Sequence, residues 1–185
     1  MPMAPPSASS ARPADPGSAP AERAVTLVVG LGNPLRGDDG IGWRVVDALH
    51  DELRRRDIHA RDVGPVELEQ LAVGGLTLME RLVGYRRAIL IDAVTTGSRP
   101  LGSVTCAPLR EIETRSAAHL DSAHDATLPS ALAAGRALGA DLPEEIVAVA
   151  IEAVLHDRFE DVLSPEAAAA IPLAVEECLA LLGID

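Results

Sequence analysis

The chain has 185 residues, a net charge of −12 and a composition that is 48% hydrophobic and 24% charged, with Trp43, Tyr85 and Phe159 as its only aromatic residues. These values fit one globular domain plus a tail, with a core built from Leu, Val, Ile and Ala. The acidity argues against non-specific binding to nucleic acid or an anionic membrane, since both need a basic face, and no apolar run approaches the ~18 residues of a membrane span.

Residues 1–23 are rich in Pro, Ala and Ser and show no periodicity. They cannot bury enough apolar surface to offset ordering entropy, so a disordered tail is expected there. A single α/β domain is expected over residues 24–185. The N-terminus lacks the continuous apolar stretch of a secretory signal. Cys106 and Cys178 are far apart and form no Cys-x-x-Cys motif, which fits free thiols in a reducing cytosol and a cytoplasmic protein.

Residues 25–29 form an apolar run that ends at Gly30, the pattern of a fully buried strand. From Ile41 the period changes. Ile41, Val45, Leu49 and Leu53 share one helical face, and Arg44, Asp47, Asp51 and Arg54 another. A weaker strand is expected at 61–67, a short helix at 76–82 and a buried strand at 88–92 ending in Asp92. Residues 102–107 suit an antiparallel strand, 109–125 are polar and irregular, 128–138 are helical, and 145–151 (EIVAVAI) form a strand. Ser164 and Pro165 open the last helix as N-cap and first helical residue, and Gly183 stops it after Leu182. Strands alternating with helices imply a three-layer α/β/α sandwich. Its sheet is mostly parallel and twisted, with about five strands and one antiparallel member, of the phosphorylase/hydrolase-like kind. Ligands of such sheets sit outside the carboxyl ends of the strands.

Several residues could carry chemistry at that end. Asp38 and Asp39 lie in a turn with Gly30, Gly32, Gly37, Gly40 and Gly42. One acid can cap the next helix, where a carboxylate favours the helix dipole. The other can face a ligand, and glycines at that density allow close backbone approach and positive φ. A dinucleotide site does not fit, because Leu35 stands where the third glycine of G-x-G-x-x-G belongs. Asp92 closes a very hydrophobic strand, where a carboxylate is costly unless paired or bound. His119 and His124 lie in the irregular segment, whereas His50, His59 and His156 suit the surface. Two Asp and one His from separate loops would suit Zn²⁺ or Ni²⁺. Spacing alone leaves the alternatives of capping, loop support and metal binding open.

The stretch GLGNPLRGDDGIGWRVVDAL resembles the opening of the nickel–iron hydrogenase maturation endopeptidases. GYRRAILIDAV, SAHDATLPSALAAGRALG, LPEEIVAVAIEAV and LSPEAAAAIPLAVEECL resemble that family's later segments in the same order. The resemblance spans roughly residues 25–182. It departs from the family at LAVGGLTLMERL, which keeps Gly74 and Gly75 but lacks the acid of the family's D-G-G-T-x-G stretch.

The resemblance implies an endopeptidase that removes the C-terminal extension of a nickel-loaded hydrogenase large-subunit precursor. Carried over by motif, Asp39, Asp92 and His124 would be the catalytic and nickel-facing residues, with His119 the rival in the same loop, and Asp38 would be left to cap a helix or support the loop. The family position of Asp39 can also be Glu. The nickel would come with the precursor, the glycines of the turn would give room to its metal-bearing tail, and no permanently bound organic cofactor is implied. The expected partner is that precursor, with no nucleic acid, no membrane and a monomeric protein. Two other readings compete. One is a metal-checking chaperone of the large subunit that does not cut. The other is peptidyl-tRNA hydrolase, which also opens on G-L-G-N-P but continues to a catalytic histidine that this turn lacks.

Overall fold

Thr26–Leu31 is buried along its whole length and forms β1, an inner strand of the sheet. The computed structural model describes residues 26–59, 63–112, 127–155 and 159–184. The expected tail, the domain start at Ala24, and His119, His124 and His156 lie outside the described residues. After β1 come a 3-10 turn at Gly37–Gly40 and helix α1 at Ile41–Arg55. Strand β2 is Val66–Leu71, α2 is Gly75–Leu82, β3 is Arg87–Val94 and β4 is Val104–Pro108. Helix α3 is Leu128–Ala137, β5 is Glu145–Glu152 and α4 is Pro165–Leu181.

The five strands lie in the order β2-β1-β3-β5-β4. All neighbours run parallel except β4, which pairs antiparallel with β5 as expected. Alternation along the strands sends side chains to two cores. Leu27, Val29 and Leu31 of β1 join Leu90 and Val94 of β3 beneath α2 and α3. Val28, Ile89, Ile91, Val149 and Ile151 join the apolar faces of α1 and α4 on the other side. The sheet is therefore covered on both faces, which explains why β1, β3 and β5 are hydrophobic almost throughout.

Two expectations need correction. Of the described part of the expected strand 61–67, only Val66 and Glu67 are strand, and β2 continues to Leu71. Its V-E-L-E pattern is an edge strand with one polar row: Val66 and Leu68 pack on the α1/α4 core. Glu67 and Glu69 point the other way and accept from Tyr85 and Arg81. Strand β3 does not end at Asp92 but runs two residues further, to Val94. The start of α4 matches its signals: Ser164 Oγ accepts from the Ala167 amide at 3.1 Å, and Pro165 takes the first turn.

Candidate active site

The turn after β1 is a tight knot of backbone. The Arg36 amide donates to the Asn33 carbonyl, and the Asp39 amide donates to that of Arg36. Its glycines are there for contact. A Cβ on Gly30 would sit 2.2 Å from the Gly42 carbonyl oxygen, and one on Gly32 1.7 Å from that of Asp39. A Cβ on Gly42 would lie 2.5 Å from the Ile91 oxygen. Gly30, Gly32 and Gly42 thus serve the close backbone approach expected of them and do not leave room for a ligand: they let β1, β3 and the start of α1 touch backbone to backbone.

Both acids of the turn are buried, Asp38 at 6% and Asp39 at 3% exposure. Neither caps α1, whose N-cap is Gly40 with no side-chain bond to the first turn. The Asp38 carboxylate instead accepts the Ser164 amide at 2.7 Å and the Ser164 hydroxyl at 2.8 Å, and so braces the start of α4. Asp39 Oδ2 accepts the Asn33 amide at 3.1 Å, across the same turn.

Asp92 is 2% exposed and shares its face of β3 with Leu90 and Val94, the face covered by α2 and α3. The 3-10 turn carrying Asp39 packs directly on β3, and the forced contact between Gly42 and Ile91 fixes that turn beside the residue preceding Asp92. The fold therefore places both acids singled out from sequence at the carboxyl end of the parallel strands, on adjoining elements. His124 and its rival His119 lie outside the described residues. Helix α3, which opens at Leu128 just after them, packs on the face of the sheet that Asp92 occupies. Among the described residues, no group of three His, Cys, Asp or Glu side chains forms a metal-binding cluster.

Sequence reasoning missed Glu152. It ends β5 at 2% exposure. Its carboxylate accepts the amides of Thr96 and Gly97, both at 2.8 Å, and the Thr96 hydroxyl at 2.6 Å. The signal was the one that marked Asp92, a carboxylate at the carboxyl end of a buried strand. Its role differs, because it ties down the loop that follows β3.

A mostly parallel sheet under helices on both faces defines an α/β/α sandwich, and Asp39 and Asp92 lie at the carboxyl end of its strands, where such folds bind ligands. The comparisons place it more finely. A family model described as hydrogenase maturation protease matches residues 44–181, and the chain belongs to that family. The hydrogenase expression/formation protein HupD of Thiocapsa roseopersicina is 29% identical over 157 residues, which cover 85% of this chain and 67% of that protein. HupD of Rhizobium leguminosarum bv. viciae is 26% identical over 166 residues, covering 90% and 77%. The hydrogenase maturating endopeptidase HybD from E. coli shares the fold with a TM-score of 0.64 at 24% identity, over 85% of this chain and 91% of that one. The protein is thus a peptidase of hydrogenase maturation, and the chaperone and peptidyl-tRNA hydrolase readings give way. Among the described residues no helix is long and apolar enough to cross a membrane.

Proposed function

We propose that this protease removes the C-terminal extension of a hydrogenase large-subunit precursor after nickel has been loaded, and that it reads the nickel through Asp39, Asp92 and His124. The observation that carries the reading is the packing of the Asp39 turn on β3 beside Asp92, in a chain of the hydrogenase maturation protease family. Nickel here is part of the substrate and not a resident cofactor. Carboxylate and imidazole ligands complete the coordination of a nickel already held by the precursor. One carboxylate then serves as base toward the water that attacks the scissile carbonyl, and burial of both acids keeps that chemistry away from bulk solvent. The protein works as a cytoplasmic monomer with the precursor as its partner.

The test is mass spectrometry of nickel-loaded precursor incubated with wild type, Asp39→Ala, Asp92→Ala or His124→Ala. Wild type shortens the large subunit, and each variant leaves it at full length. Normal processing by all three variants would sink the site assignment.

A further inference from the structure

A polar cleft of about 220 Å³ opens beside Asp92 on the same face of the sheet. The strand register fixes its position. Asp92 pairs with Ala150, which pairs on its other side with Thr105. Ala150 and Thr105 line the cleft, together with Val94 and Glu152, the next such pair along β3 and β5. Neighbouring strands are ~4.8 Å apart, so the cleft wall begins one strand spacing from the candidate catalytic acid.

Its rim is the loop between β3 and β4, and that loop is anchored. Glu152 holds the Thr96 and Gly97 amides, and the Thr96 and Ser98 hydroxyls bond at 2.6 Å. Arg99 follows directly and lines the cleft with Ser98, Ser103 and Thr105. It makes no hydrogen bond or ion pair to any described residue. The acid across the cleft, Glu111, is already paired with Arg110 at 3.4 Å. An exposed cation on an anchored loop, with no partner among the described residues and with hydroxyls beside it, suits a carboxylate, which guanidinium binds through two parallel hydrogen bonds.

We propose that this cleft is a substrate subsite. It takes a carboxylate of the precursor chain close to the scissile bond and pairs it with Arg99, so that the peptide is held in line with Asp92. The carboxylate is either an acidic side chain or the terminal carboxylate of the extension. The inference rests on the processing activity proposed above and names the residue that selects its substrate.

The experiment measures calorimetric binding of nickel-loaded precursor alongside its cleavage, for wild type, Arg99→Glu, Arg99→Lys and Ser98→Trp. Arg99→Glu is expected to raise KM and Kd about tenfold with kcat nearly unchanged, because it replaces an attraction by a repulsion. Arg99→Lys recovers part of the loss, and Ser98→Trp blocks the cleft by bulk. Lysine in place of the acidic residues of the extension restores Arg99→Glu if a side chain is the ligand. Amidation of the terminus weakens wild-type binding if the terminal carboxylate is. Wild-type kinetics in both Arg99→Glu and Ser98→Trp overturn the subsite while leaving the processing reading intact. Arg99-dependent binding without cleavage supports the subsite and defeats the processing reading.

Discussion

Ser164 donates both its backbone amide and its hydroxyl to Asp38, 126 residues earlier in the chain. The same hydroxyl accepts from the Ala167 amide, so one carboxylate sets the N-cap of α4 and ties it to the turn that carries Asp39. Asp38→Ala strips the acceptor from two donors at a buried position. It is expected to cost about 2–3 kcal/mol, in the range for hydrogen bonds to a charged group. A double-mutant cycle with Ser164→Ala, read by urea unfolding, should return about 1–2 kcal/mol of coupling. Additive effects would mean that the two residues do not act as a unit.

Gly42 offers a sharper test of how the site is assembled. A methyl group there would meet the Leu31 oxygen at 2.4 Å, the Ile91 oxygen at 2.5 Å and the Leu31 nitrogen at 2.7 Å. All three are backbone atoms of the central strands and cannot swing away. Gly42→Ala should destabilise by about 1–3 kcal/mol or more through overpacking. It should also lower processing further than the loss of folded protein explains, because the start of α1 moves and takes the Asp39 turn with it. Thermal unfolding and cleavage rate at matched folded fraction separate the two effects. A variant with wild-type stability would contradict the close packing.

The alternation of strands and helices was plain in the sequence because β1, β3 and β5 are buried on both faces and so read as unbroken apolar runs. β2 was misplaced because it is an edge strand whose Glu67 and Glu69 meet Tyr85 and Arg81, partners that only the tertiary structure supplies. Asp39 and Asp92 could be picked out as acids at strand ends. Asp38 could be set apart as the supporting acid, but its partner could not, since Ser164 reaches it from the far end of the chain. The dense glycines allowed both close backbone approach and space for a substrate, and only the fold, in which Gly30, Gly32 and Gly42 meet backbone, tells the two apart. Glu152 carried the same signal as Asp92 and differs only in the loop amides folded over it.

The two cysteines should differ chemically. Cys178 is fully buried in α4, and burial, with smaller contributions from Cys106 and Glu177 nearby, pushes its thiol up to about 12. Cys106 is exposed on β4. A thiol-reactive chromophore at neutral pH should therefore titrate Cys106 in the native protein and reach Cys178 only on unfolding. Cys178→Ser, which places an unpaired hydroxyl in the core, should cost about 1–3 kcal/mol. Rapid reaction of two thiols in the folded protein would show that α4 opens readily.

Tyr85 is the only tyrosine, so its ionisation can be followed without interference. Its ring is buried with Arg81 stacked 5.6 Å from the centroid, and its hydroxyl donates to Glu67. Burial first, and then the bond to Glu67, raise its pKa above the ordinary value of 10.0, while the Arg81 charge opposes them. The phenol of the folded protein should therefore titrate above 10, read as near-ultraviolet difference absorbance. An acid whose folded pKa is raised contributes stability that is fully present below its unfolded pKa. That stability is lost as pH climbs from 10 through the folded value. Unfolding free energy should accordingly fall with pH in that alkaline window, and Tyr85→Phe should remove this part of the slope. Glu67→Gln should bring the titration only part of the way back, since burial is the larger cause. A native phenol titrating at or below 10 would place Tyr85 in water and undo the packing of β2 against α2.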